Sequence, residues 1–264
     1  MVKWRYIGNG PGSAEWNMAV DEALLRSFKK GDAPVLRLYG WEVPSLSFGR
    51  FSRPEEVLHL ERLQSLKIPY ARRMTGGGIL VHGSDISYML IVPGAWVKEK
   101  GVKENYRHLC RFLLTLYRQA GLDADFAQQK KCTLEHTDVC LAGTEAYDIV
   151  IDGKKIGGNA QRHTRNALLQ HGSVPLSIDA ERFETLFKQE TGFERSVTFE
   201  KLGIGMDAET LTESLKQAFC ETYEAVLYDE PLRKDEYALA VKLFKDKYTK
   251  EAWNVHAEDN VLQT

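Results

Sequence analysis

The chain has 264 residues, near the upper end of what one core supports, so one compact domain with at most a small appendage is expected. Apolar residues make up 43% and charged ones 27%, which excludes collagen-like, disulfide-scaffold and wholly disordered chains. The net charge of −2 lacks the basic excess of a dedicated nucleic-acid binder, while leaving room for a local basic pocket. The opening MVKWRYIGNG has no apolar signal-peptide core, and the apolar run at 86–92 is far too short to span a bilayer. Four cysteines, Cys110, Cys132, Cys140 and Cys220, do not make a disulfide framework in a chain of this length. These features predict a cytoplasmic protein with free thiols, and neither a membrane nor a nucleic acid among its partners.

In chain order, residues 13–28 predict a helix capped by Ser13, with Met18, Val20, Ala23, Leu24, Leu25 and Phe28 on its apolar face. Two short strands follow at 34–39 and 45–48, punctuated by Gly40 and Pro44. Arg53-Pro54-Glu55-Glu56 opens a second helix running to about Leu66. Strands are expected at 69–72, 79–82 and 86–92, then a long amphipathic helix at about 103–120. Asp152-Gly153 between β-type runs suits the type I′ turn of a hairpin, and 167–175 reads as a further strand. Helical patterns return near 180–190, 208–226 and 235–248, with a frayed tail from about Glu258. Strands early and helices late predict an α+β fold. Residues 1–204 are expected to form the main domain and 205–264 a small helical region packed on its mixed sheet.

Three clusters carry the chemistry. Arg72-Arg73-Met74-Thr75-Gly76-Gly77-Gly78-Ile79-Leu80-Val81-His82 places three glycines beside two arginines, where backbone amides can approach a phosphate or carboxylate. No Lys-Ser/Thr follows the glycines, so this is not a Walker loop, and a tight strand-to-strand turn is the plainer alternative. Asp152-Gly153-Lys154-Lys155-Ile156-Gly157-Gly158-Asn159-Ala160-Gln161-Arg162 sets a lysine on a hairpin strand just before two glycines. Such an ammonium can stabilise an oxyanion or phosphate, though most strand-end lysines are simply solvated. Gln170-His171-Gly172-Ser173 adds a histidine at a strand end, a position more often structural than catalytic.

RRMTGGGILVH, DIVIDGKKIGGNAQR and LLQHGSV, in that order, resemble the lipoate–protein ligase and octanoyltransferase family, whose catalytic domain is shared with biotin protein ligases. NMAVDEALL, Arg37-Leu38-Tyr39-Gly40, Ser47-Phe48-Gly49-Arg50 and the late LFKDKY and EAWN segments fit the same pattern, so the likeness covers nearly the whole chain. It implies a mixed sheet flanked by helices. It also implies that Arg73, Gly76, Gly77, Gly78, Ile79, Leu80, Val81 and His82, with Gly158, Asn159, Ala160 and His171, line the acyl pocket. Lys155 matches the lysine that meets the activated carbonyl.

Two chemistries are open to such an enzyme. One takes an octanoyl group from an acyl-carrier thioester, passes it through a cysteine and needs no cofactor. The other activates lipoate or octanoate with ATP and Mg²⁺ as an acyl-adenylate. Either delivers the group to a lysine of a lipoyl-domain protein, and the first also needs an acyl carrier protein as partner. Cys140, fifteen positions before Lys155, resembles the acyl-accepting cysteine of one octanoyltransferase branch, and a nearby ammonium favours its thiolate. Ala160-Gln161 and Leu169–Ser173 also look like that branch, whereas Gly76-Gly77-Gly78 is more ligase-like than the branch's usual Gly-Gly-Arg. The thiol and its two companions outweigh one glycine, so transfer through Cys140 is the first reading and ATP-dependent ligation the alternative. Cys132, His136 and Cys140 could suggest zinc, but the spacing is unusual and no fourth ligand is evident, so no metal is assigned. A reversible Cys132–Cys140 disulfide is a comparable outside reading. A non-catalytic binding module would be expected to lose Lys155 or the glycine loop, and both are present.

Overall fold

The computed structural model describes residues 1–99, 101–130, 132 and 145–259. Six strands form the central sheet: β1 (Val2–Gly12), β2 (Val35–Trp41), β6 (Asp85–Pro93), β10 (Gly158–His163), β11 (Ala167–Pro175) and β13 (Ala225–Asp229). Their order is β10-β11-β6-β2-β1-β13, antiparallel from β10 to β2 and parallel from β2 to β13. A three-stranded sheet sets β3 (Ser45–Phe48) between β4 (Tyr70–Arg72) and β5 (Leu80–His82). A third has the order β12-β9-β8-β7, from β7 (Ala124–Phe126), β8 (Ile149–Ile151), β9 (Lys154–Ile156) and β12 (Ser196–Val197). The α+β fold with mixed sheets is therefore present.

Side chains alternate across the central sheet, and both faces are covered. Leu36 and Leu38 of β2, with Ile86, Tyr88, Leu90 and Val92 of β6, enter one core. Val35, Tyr39 and Trp41, with Met89 and Ile91, enter the other. The second core is closed by α1 (Ala14–Ser27), where Ser13 caps by accepting from the Trp16 amide at 3.2 Å. Two short helices, α2 (Pro54–Val57) and α3 (Leu60–Ser65), stand where one was expected. The break has a cause: Leu58 bridges to Phe187, and the His59 amide donates to the Leu186 carbonyl.

The first core is closed by α4 (Val102–Leu109) and α5 (Arg111–Gln119), which replace the single helix expected at 103–120 and meet at buried Cys110. The predicted hairpin is β8–β9, with Asp152 and Gly153 at φ +50° and +75°, the pair of positive values a type I′ turn requires. Only α6 (Ala180–Glu184) forms in the 180–190 stretch. Beyond residue 205, α7 (Ala208–Tyr223) packs on the first core and α8 (Lys234–Leu243) on the second. This region is not purely helical as expected, because β13 adds to the central sheet between those helices. A π-helical turn (Phe244–Tyr248) and α9 (Glu251–Asn254) complete the described chain. No helix among the described residues is long and apolar enough to cross a membrane.

Candidate active site

The glycine run joins β4 to β5 and folds back over the end of β3. The Arg73 amide donates to Phe48 O at 2.7 Å, and the Arg50 amide donates to Thr75 O at 2.7 Å. Gly49 must be glycine, because a Cβ there would lie 1.6 Å from Gly77 O. Arg73 holds the loop from inside: Nη2 donates to Gly78 O at 2.8 Å, and Nη1 donates to Ser47 O and Ser47 Oγ, each at 2.7 Å. Its neighbour Arg72 points away, into six backbone carbonyls at 2.7–3.2 Å from Gly49, Arg50, Ser52, Trp253, Asn254 and Val255. The loop is thus fastened to α9 as well as to the small sheet.

Two buried hydroxyl–imidazole–carboxylate chains flank the loop. On one side His171 Nδ1 lies 3.0 Å from Asp21 Oδ2, and its Nε2 lies 2.7 Å from Thr75 Oγ1. Asp21 is paired through Oδ1 with Arg37 at 2.6 Å, both side chains being fully enclosed. A carboxylate only accepts, so Nδ1 carries the hydrogen and Nε2 accepts from Thr75. Burial lowers the His171 pKa, and the Asp21 charge only partly offsets this, so the neutral ring is favoured.

On the other side His82 Nδ1 lies 3.0 Å from Asp85 Oδ2, and its Nε2 lies 2.7 Å from Ser47 Oγ. The ring stacks on Trp41 at 3.7 Å between centroids. Asp85 Oδ2 also accepts from Ser173 Oγ at 2.7 Å and from Trp41 Nε1 at 3.1 Å. Burial pushes this carboxyl up, but the His82 imidazole and the bonds from Ser173 and the Gly83 amide outweigh it. The net effect is a pKa below the ordinary carboxylate value.

Between the chains lies a narrow cleft. Arg73, Gly77, Leu80, His82, Gly158, Asn159, Ala160 and His171, all expected from the sequence, line it. Gly76, Gly78, Ile79 and Val81 do not; Ile79 and Val81 pack into the core beneath the small sheet. Met18, Tyr39, Trp41, Ser47, Ser87 and Gly172 also line it and were not assigned to the pocket from sequence. The cleft holds about 20 Å³, room for roughly one water, so an acyl chain requires it to widen. A separate groove of about 800 Å³ lies beyond Tyr39 and Trp41, which line both, but it carries none of the expected site residues.

Lys155 is placed differently. It is not among the cleft-lining residues, is 4% exposed, and its Nζ lies 2.7 Å from Asp148 Oδ2. Gly157, at φ +73° with no space for a Cβ against Ser173 O, turns the chain from Lys155's strand into the cleft wall at Gly158. Cys140 and His136 lie outside the described residues, and with them the zinc and Cys132–Cys140 disulfide readings. Among the described residues, no cluster of three His, Cys, Asp or Glu is placed to hold a metal.

Nearly the whole chain superposes on lipoate-protein ligase A solved with ATP bound, with a TM-score of 0.83 and 26% identity over 96% of this chain and 99% of that one. The architecture is that of the lipoate protein ligases. Residues 13–220 match the lipoyl protein ligase A/B catalytic domain, and the chain belongs to that family. It is 33% identical to octanoyltransferase LipM of Kyrpidia tusciae over 96% of this chain and 99% of the relative. It is 34% identical to octanoyltransferase LipM of Geobacillus kaustophilus, over 95% and 97% of the two chains.

Proposed function

We propose that the protein moves an octanoyl group from an acyl-carrier thioester to one lysine of a lipoyl-domain protein, by way of a thioester on Cys140. The observation that carries this reading is the end-to-end similarity to two octanoyltransferases. The Cys140 thiolate attacks the donor carbonyl, and the carrier thiol leaves. The acceptor amine then attacks the enzyme thioester, loses a proton and forms the amide, which frees the Cys140 thiol. In this reading the cleft holds the acyl chain, and the Lys155 ammonium stabilises the oxyanion at each step. Of the three described cysteines, Cys110 and Cys220 suit the nucleophile's role poorly. Cys110 is fully buried behind Gln170, its thiol pushed strongly up by burial, and Cys220 is raised in the same direction for the same reason.

A second reading, ATP-dependent lipoate ligation, is favoured by Gly76-Gly77-Gly78 and by the likeness to the ATP-bound ligase. One experiment separates them. Octanoyl carrier offered without acceptor should leave an octanoyl adduct on Cys140, detected by peptide mass spectrometry, and Cys140→Ser should abolish transfer. Lipoate-dependent ATP–pyrophosphate exchange surviving in Cys140→Ser, with no adduct in the parent, would establish the ligase instead. Absence of any mass gain on a lipoyl domain under either condition would refute both.

A further inference from the structure

Asp148 stands in a place that neither its sequence context nor the reading above assigns a role. Lys155 lies inside the fold, and a lysine that deep needs a counter-ion to remain charged. Asp148 supplies one at 2.7 Å, with both side chains about 5% exposed. The carboxylate is itself held in place. The Glu145 amide donates to Oδ2 at 2.8 Å, and the Asp148 amide donates back to Glu145 O at 3.0 Å. Tyr106 of α4 brings its hydroxyl to 3.4 Å from Oδ1 and to 3.4 Å from Asn159 O. The Asn159 side chain accepts from Tyr88 at 2.6 Å, and Asn159 lines the cleft. The carboxylate is therefore linked to the lysine directly and to the strand that walls the cleft through Tyr106. Across the sheet, Lys155 faces the uncharged Val150 and Ser196.

We infer that Asp148 is the positioning residue for Lys155: without touching substrate, it aims the ammonium and favours its protonated form against burial. This rests on the octanoyl-transfer reading for its consequence in turnover, and on geometry alone for its effect on the lysine. Asp148→Asn preserves the shape and removes the charge. In the full chain with octanoyl carrier and a lipoyl domain, kcat is expected to fall at least about tenfold while KM for the donor changes less than about threefold. The alkaline limb of the kcat profile should also move to lower pH by about one unit. Asp148→Glu, which keeps the anion but displaces it by a methylene, should recover part of the loss. It also decides the matter if the Asn variant does not fold: a lowered kcat at parental thermal stability supports the assignment, and a parental kcat overturns it.

The lysine itself gives a readout independent of turnover. The Lys155 Cε and Nζ resonances, assigned with Lys155→Arg, should titrate at lower pH in Asp148→Asn than in the parent. The same titration in both overturns the assignment, as does a kcat loss with an unmoved pH profile. If the parent transfers no octanoyl group, the functional reading falls while this titration still decides the role of Asp148.

Discussion

Asp21 and His171, 150 positions apart in the chain, meet at 3.0 Å between Oδ2 and Nδ1, and through that contact helix α1 braces the glycine loop. Folded His171 binds a proton less readily than the unfolded chain, whose imidazole titrates near 6.5. The unfolded state therefore takes up more protons as pH falls through that value. The stability tied to His171 is present above pH 6.5 and is lost on acidification below it. Thermal unfolding should show a lower Tm at pH 5.5 than at 7.5, and His171→Asn should reduce that difference. An undiminished difference in the variant would remove His171 as its source.

Asp21→Asn tests the other end of the same chain. Arg37 would be left as an uncompensated charge with none of its side chain exposed. Removing one partner of such a pair costs about 3–5 kcal/mol. Urea unfolding should register that loss at pH 7, and a change below about 1 kcal/mol would show that the guanidinium finds a replacement.

Gly49→Ala places a methyl carbon inside the Gly77 carbonyl, so the loop has to move. Overpacking of this kind costs about 1–3 kcal/mol. In the octanoyl-transfer reading, turnover should fall by more than about tenfold through misplacement of the cleft wall. Gly76→Ala is the steric control, because its Cβ meets nothing within 4 Å, and its stability should stay within about 1 kcal/mol of the parent. Equal stability losses in the two variants would show that backbone freedom, rather than the close approach, governs the loop.

Arg72→Lys should be poorly tolerated. Six carbonyls converge on the guanidinium, and an ammonium brings only three donors on a shorter reach. The carbonyls left over predict a loss on the order of 2–4 kcal/mol by denaturant titration. A parental midpoint would mean that water satisfies them.

Cys110 should resist modification. With its thiol buried and its ionisation suppressed, iodoacetamide at pH 8 is expected to leave it unlabelled in the native protein and to label it after unfolding, as read by peptide mapping. Rapid native labelling would place Cys110 back among the candidate nucleophiles.

Strand β6 was legible because its apolar run at 86–92 is long enough to be buried on both faces, and the β8–β9 turn because Asp-Gly tolerates two positive φ values. Strand β1 was not, since Gly8, Gly10 and Pro11 obscure the alternation at Trp4 and Tyr6, and its pairing depends on β2 and β13. Polar β10 was read only as a motif because an edge strand leaves much of its surface exposed. At the site, arginine, glycine and histidine announced themselves. Asp21, Asp85 and Asp148 did not, because a carboxylate becomes structural only through partners brought from elsewhere. Asn17 and Asp21, one helical turn apart amid Met18, Val20 and Leu24, were the available signal: two polar groups on a stripe that should be apolar.

The carbonyls of Trp253, Asn254 and Val255 that receive Arg72 are made 181 to 183 residues after it. On the ribosome, where synthesis proceeds at about 5–20 residues per second, Arg72 waits roughly ten seconds or more for these partners. During that interval the glycine loop is held by the small sheet and, once His171 is made, by the Thr75–His171–Asp21 chain, but not yet by α9. Its final bracing is therefore a late event in biogenesis, and a nascent chain arrested before residue 250 presents a cleft with one wall unfastened.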